Sequence, residues 1–255
     1  MQMEILAPAG SREALVAGVR CGANAVYLGG KSLSARRNAG NFDDAELERA
    51  AEYCLARNVK IYLTLNTLCR DDELEEAYRL ARHALSCGIS GFIVQDIGVA
   101  NMLRSCFPSA RLHASTQTSV MTPAGVAALK EQGFSRVVLP REMSESEIAE
   151  IAGSTDLELE MFVHGALCMS VSGQCYMSAM IGQRSGNRGL CAQTCRLPFS
   201  ALNHGSFALS LKDLSLIDKL SKIERLGVVS LKIEGRMKRP EYVAAAVTAV
   251  KEALA

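Results

Sequence analysis

The chain is predicted to fold as an α/β (β/α)8 TIM-like barrel, and three observations carry that expectation. Eight short apolar runs alternate with amphipathic helical stretches, the pattern of βαβ units around a parallel sheet. One unit recurs, a helical stretch that ends at a glycine and is followed at once by a strand, as in VAGVRCGANAVYLGG, ARHALSCGISGFIVQD, VAALKEQGFSRVVLPRE and DKLSKIERLGVVSLKIEG. No GxGxxG follows the first strand, so the competing doubly wound open sheet lacks its phosphate-binding turn.

The expected strands are Ile5–Pro8, Ala25–Leu28, Ile61–Leu65, Phe92–Val94, Leu112–Ser115, Val137–Leu139, Leu159–Val163 and Val229–Ile233. Gly22, Gly88, Gly133 and Gly227 stand just past helical stretches, where a left-handed C-cap is favoured. Pro240 suits the first turn of a last helix running to Ala255. Residues 164–228 separate the seventh and eighth strands and hold a cysteine-rich insertion at about 165–205. Within that gap Phe207–Leu214 reads as a possible extra strand. The insertion springs from the C-terminal end of strand seven, the face on which barrel active sites are built. Residues 1–255 are read as one barrel domain, the expected N-terminal part of a longer protein.

Of 255 residues, 49% are hydrophobic and 22% charged, which supports a sizeable core and argues against disorder. A net charge of +1 restricts any nucleic-acid surface to a local patch. No apolar run reaches the ~18 residues of a membrane span. The opening MQMEILAPAGS has no basic n-region or long apolar h-region, so a cytoplasmic protein without membrane contact is expected. In that compartment nine cysteines read as metal-binding or catalytic rather than disulfide-bonded. Cys21, Cys54, Cys69, Cys87 and Cys106 are scattered, and four of them fall in apparent helices or their ends, where a free cysteine behaves as a small hydrophobe.

Polar residues just past each strand are expected to face the site. They include Ser11, Asn66-Thr67, Gln95-Asp96, Thr116-Gln117, Arg141-Glu142, His164 and Glu234-Gly235-Arg236, with Arg36 and Arg37 after the second strand and His113 inside the fifth. His164, Glu160, His113 and Asn66 are the candidate catalytic groups. Arg36, Gln117, Arg141, Glu142, Lys232, Glu234 and Arg236 are the candidate substrate-binding groups. The guanidinium groups among them would clamp a small dicarboxylate, unless Glu142, Glu160 and Glu234 neutralise them as ion pairs. His83 and His204 read as surface residues. Arg184, Arg188, Arg196, Lys238 and Arg239 would form a phosphate-binding patch.

Cys168, Cys175, Cys191 and Cys195 fall within 28 residues with the spacing C-x6-C-x15-C-x3-C. Structural zinc sites offer close pairs such as C-x2-C, which are absent here, so zinc is the lesser alternative. A [4Fe–4S] cluster needs four thiolates and tolerates irregular spacing, and the intervening glycines let backbone approach it.

The segment EMFVHGALCMSVSGQCYMS, with MEILAPAGS, GANAVYLGG, LTLNT, VVLPRE, NRGLCAQTCR, SLKDL and SLKIEGRMKRPEYV, closely resembles the collagenase-like peptidase U32 family along nearly the whole chain. The family name implies proteolysis, yet there is no GxSxG elbow or HExxH. Relatives that the resemblance brings in are oxygen-independent hydroxylases with a four-cysteine [4Fe–4S] cluster. They act on pyrimidines of tRNA or rRNA, or on a quinone precursor, with prephenate implicated as oxygen donor. The resemblance carries over Cys168, Cys175 and Cys191 as ligands, with Cys195 the nearest fourth and Cys69 the fallback. The CAQTCR form is most similar to the RNA-directed branch, whose longer members would reach RNA through further C-terminal domains. The expected function is hydroxylation of a pyrimidine in RNA. A collagenase-like peptidase and a non-enzymatic metal-binding module are the alternatives.

Overall fold

The computed structural model describes residues 3–171, 173–199 and 206–255. The strands are β1 (Glu4–Pro8), β2 (Ala25–Gly29), β3 (Lys60–Leu65), β4 (Gly91–Val94), β5 (Leu112–Ala114), β6 (Arg136–Val138), β7 (Glu158–Gly165), β8 (Leu214–Ser215) and β9 (Val228–Ile233). All but β8 pair in parallel in the order β1 to β7, and β9 bridges β7 back to β1, closing an eight-stranded barrel. The eight expected strands are all present. The outer helices are α1 (Arg12–Cys21), α2 (Asp44–Leu55), α3 (Leu74–Ser86), α4 (Ile97–Cys106), α5 (Pro123–Glu131), α6 (Glu145–Ser154), α8 (Leu220–Arg225) and α9 (Pro240–Ala253). A short α7 (Met177–Gly182) lies in the long excursion between β7 and β8.

Local sequence accounts for the boundaries. Ser11, Asp43, Asp96, Thr122 and Ser144 each accept a backbone N–H at a helix start. Asp43/Glu46 and Ser144/Glu147 form full capping boxes. Gly22, Gly88, Gly133 and Gly227 adopt φ values of 105°, 86°, 84° and 83°, the left-handed conformation expected of them.

The extra strand expected over Phe207–Leu214 is much smaller. Only Leu214–Ser215 pairs, antiparallel to the end of β7, and Phe207 makes a single bridge to Phe199. Asp213 lines the barrel mouth and sits 3.7 Å from Lys238 Nζ. The chain is therefore drawn over the opening before it can align with β7.

Alternation along the strands separates two apolar assemblies. Residues such as Ile5, Val26 and Ile61 pack outward on the helices, while Leu6, Ala25, Tyr27, Tyr62 and Ile93 form a cluster of their own inside the barrel. Beside that inner cluster lies an ionic layer. Arg136 of β6 donates to Glu4 of β1 across the barrel at 2.6 Å and to Glu160 at 3.0 Å. Lys232 donates to Glu160 at 2.8 Å, and Ser230 and Tyr62 hydroxyls donate to Glu4, each at 3.0 Å. Buried charges are tolerated because each finds an opposite charge and further hydrogen bonds. No helix among the described residues is long and apolar enough to cross a membrane.

Candidate functional site

The excursion after β7 folds back over the C-terminal ends of the strands and encloses a cavity of 380 Å³. Side chains clasp it there. Arg188 donates to Glu73 Oε2 at 2.9 Å and to the Leu68 carbonyl at 2.7 Å. Asn187 donates to Gln95 Oε1 at 3.2 Å, and Gln174 to the Gln117 carbonyl at 3.2 Å. Arg196 ties the two ends of the excursion, donating to the Leu167 carbonyl at 2.7 Å and to Ser210 Oγ at 3.0 Å. Gly189 has φ 79° and lies against the backbone of Ser34 and Arg37, where a Cβ would come within 2.4 Å of the Ser34 carbonyl oxygen. Glycine is required there by both conformation and space.

This clasp brings Cys168, Cys175, Cys191 and Cys195 to the cavity lining. All four are free thiols. The Gln193 N–H donates to Cys191 Sγ at 3.3 Å, the kind of contact that stabilises a metal-bound thiolate. Burial pushes the Cys195 thiol up against the opposing pull of Arg196, and its neighbours Cys168 and Cys191 push the same way as burial. No three of these sulfurs lie within 4.8 Å of one another. A lone tetrahedral zinc with bonds of about 2.3 Å would need them about 3.8 Å apart. Four thiolates are the donor set that a [4Fe–4S] cluster takes.

Cations line the same cavity. Glu234 accepts from Arg36 at 3.1 Å and from Arg141 at 3.5 Å. Burial alone would raise the Glu234 carboxyl, but Arg36, Arg141, Arg236 and Lys232 together hold it down at about 2. Arg236 donates to two hydroxyls, Ser34 at 2.7 Å and Thr64 at 3.0 Å. Burial and the nearby Arg36 lower it to about 10. The Arg141 guanidinium lies 4.1 Å over the Phe162 ring, and Lys232 Nζ lies 4.5 Å over Tyr27. Among the described residues, three buried polar atoms on the lining lack a hydrogen-bond partner: Arg141 Nε, Thr116 Oγ1 and Gln117 Oε1. Unpaired donors and acceptors of this kind are what a bound ligand satisfies.

The expected site residues divide. Arg36, Gln117, Arg141, Lys232, Glu234, Arg236 and Asn66 meet at the cavity with the four cysteines. Asn66 accepts the Ala35 N–H at 3.1 Å and so shapes the loop that carries Arg36. Of the other candidate catalytic groups none lines the cavity. Glu160 is fully buried in the ionic layer, where Lys232 and Arg136 outweigh burial and keep its carboxyl below the usual range. His113 packs in the barrel interior 4.5 Å from Tyr62, and burial with Arg136 holds it well below its ordinary value. His164 faces α9, its Nδ1 2.9 Å from Tyr242 Oη. Glu142 is exposed on the turn after β6. Cys69 lies off the cavity, its N–H bonded to Asp96 and its thiol pushed up to about 11 by burial and by Asp96. His83 is half-buried, and His204 lies outside the described residues.

Among the basic residues expected to meet phosphate, Arg188 and Arg196 hold the excursion instead, and Arg184 donates to the Leu190 carbonyl at 3.1 Å. Lys238 and Arg239 are near Asp213 and Glu241. Strand-end reading missed Tyr27, Thr64 and Phe162, which line the cavity one inward position earlier. Period-two alternation back from Gly29 and Asn66 marks Tyr27 and Thr64, whereas in β7 the register shift between Phe162 and His164 breaks the pattern.

The chain is 36% identical to "tRNA hydroxylation protein P1" of Bacillus subtilis (strain 168), across 98% of this chain and 63% of that protein. It is 41% identical to "23S rRNA 5-hydroxycytidine C2501 synthase" of Escherichia coli (strain K12), across 95% of this chain and 38% of that protein. It is 35% identical to "Collagenase" of Porphyromonas gingivalis (strain ATCC BAA-308 / W83), across 98% and 65%. The chain thus spans less than two thirds of the length of these relatives. Among solved structures, "The Structure of the U32 Peptidase Mk0906" superposes with a TM-score of 0.64 at 13% identity over 91% of this chain and 92% of that one, a likeness of fold. Residues 10–255 match peptidase family U32, and with relatives of this identity on both the barrel and its cysteine-bearing excursion, the chain belongs to that family.

Proposed function

We propose that this chain is the catalytic barrel of an RNA-modifying enzyme that hydroxylates a pyrimidine base without molecular oxygen. The observation that carries this reading is that Cys168, Cys175, Cys191 and Cys195 share one cavity with Arg36, Arg141, Lys232 and Arg236. Two relatives named for tRNA hydroxylation and for 5-hydroxycytidine synthesis in 23S rRNA supply the reaction class. A [4Fe–4S] cluster held by the four thiolates would supply one-electron redox chemistry beside the cationic wall. Hydroxylation exchanges a ring C–H for C–OH and removes an electron pair from the base, so the oxygen donor must accept that pair. A small dicarboxylate of the prephenate class is the proposed donor, its carboxylates bound by Arg236 and by the Arg36–Arg141 pair. Neutral Thr116, Gln117 and Asn66 would face the base, presented out of its stack. RNA contacts would be completed by segments present in the longer relatives, and the setting is the cytoplasm.

The peptidase reading draws on the relative named collagenase. Hydrolysis needs a nucleophile beside a base, and no histidine lines the cavity among the described residues. The hydroxylase reading is therefore preferred. Anaerobically purified protein is expected to absorb broadly at about 400 nm and to carry about four iron atoms per chain. Cells lacking the gene are expected to lose one hydroxylated pyrimidine from their RNA nucleoside profile. A colourless, iron-free protein together with an unchanged nucleoside profile refutes the proposal.

A further inference from the structure

Away from the barrel mouth, α2 and α3 bring a glutamate, a histidine and a cysteine together. His83 and Cys87 are four residues apart at the end of α3, so both project from one face of the helix. Glu48 comes from α2 beside them. His83 Nε2 is 3.8 Å from Glu48 Oε1 and 3.6 Å from Cys87 Sγ. All three ligand atoms lie within 4.8 Å of one another, and no other such group occurs among the described residues. The Asp44 carbonyl oxygen is a further 3.2 Å from the same nitrogen. Donor atoms around a tetrahedral zinc, with bonds of about 2.0–2.3 Å, are about 3.3–3.8 Å apart. The trio is close to that spacing without any rearrangement of the helices. None of the three residues lines the mouth cavity.

The chemistry of the donors selects the ion. One imidazole, one thiolate and one carboxylate suit a divalent transition ion of borderline softness, whereas magnesium and calcium require oxygen shells. Asp44 and Glu48 bring two carboxylates to the trio, and Arg79 lies 4.0 Å from the Asp44 carboxylate. We propose that Glu48, His83 and Cys87 form a binding site for a divalent ion of the zinc class, distinct from the cysteine centre. Water or the Asp44 carbonyl completes its shell, and the ion clips α2 to α3. The proposal is independent of the RNA reading.

The test is a zinc titration of the full chain, reduced and stripped of metal, against a chromophoric chelator, with hydrogen exchange read on the same samples. His83→Gln and Cys87→Ser are each expected to lose one bound equivalent relative to wild type, and Glu48→Gln to weaken that equivalent by more than about tenfold. Cys168→Ser combined with Cys191→Ser is expected to keep it. Zinc is expected to slow amide exchange in α2 and in the last turns of α3. Equal stoichiometry and affinity in wild type and all three helix variants would overturn the site. So would zinc protection confined to residues 166–199 in the wild type, a readout that stands even if a variant misfolds.

Discussion

Within the barrel, Arg136 and Lys232 meet Glu4, Glu158 and Glu160, and each charge has an opposite partner at hydrogen-bond distance. At the mouth, Arg36, Arg141 and Arg236 gather around one carboxylate, Glu234, and Arg141 Nε has no hydrogen-bond partner among the described residues. The residue types are the same and the balance is opposite. Charges paired in the barrel interior, most of them buried, order the strands. An excess of cations over acids, next to unpaired amide and hydroxyl groups, is a site that an anion completes. The two regions share Lys232, whose ammonium pairs with Glu160 while its stem borders the cavity.

The largest effect should come from breaking the matched region. Arg136→Ala leaves Glu4 and Glu160 buried without their common partner, with an expected loss of about 3–5 kcal/mol in urea unfolding. A loss below about 1 kcal/mol would show that the inner layer is wetter than its geometry implies.

Acid titration probes the mouth. Glu234 titrates at about 2 in the folded chain, below the ordinary glutamate value of about 4.3. Its contribution is complete above the unfolded value and is lost as pH falls from about 4.5 to about 2. The expected size is up to about 3 kcal/mol. Stability measured against pH in wild type and Glu234→Gln should differ in that window. Parallel curves would mean that the arginines do not act on this carboxylate.

Arg236 sharpens the contrast with the least effect on folding. It is a buried cation without a direct carboxylate partner, so Arg236→Met is expected to change unfolding free energy by less than about 1 kcal/mol. Binding of a small dicarboxylate, measured by calorimetry, should weaken by about 1.5–3 kcal/mol, roughly ten- to a hundredfold. Unchanged binding would remove Arg236 from the anion wall.

The eight strands were legible because each is a short apolar run, and several are preceded by a glycine that ends the helix before it, such as Gly22, Gly88, Gly133 and Gly227, signals that act within a few residues. The cysteine group and most of the cationic wall were legible for a related reason. A barrel presents the ends of its strands to one opening, so Asn66, Gln117, Arg141, Glu234 and Arg236 could be placed there from position alone. Polar strand ends that cap helices, Ser11 and Asp96, look the same in sequence, and only the acceptance of Ala14 and Val99 N–H groups separates them.

By itself, then, the chain's sequence determined a closed alternating barrel, the family to which it belongs, and four thiols carried to the mouth by one excursion. These rest on local propensity and on the order of elements. Which charges neutralise one another was decided only by tertiary structure. Glu4 reaches Arg136 across 132 positions of sequence, and Arg188 reaches Glu73 across 115. Facing was decided there too, since His164 turns to Tyr242 and His113 to Tyr62. A side chain's partner depends on which strands the closed sheet sets opposite each other, and no spacing along the chain encodes that distance.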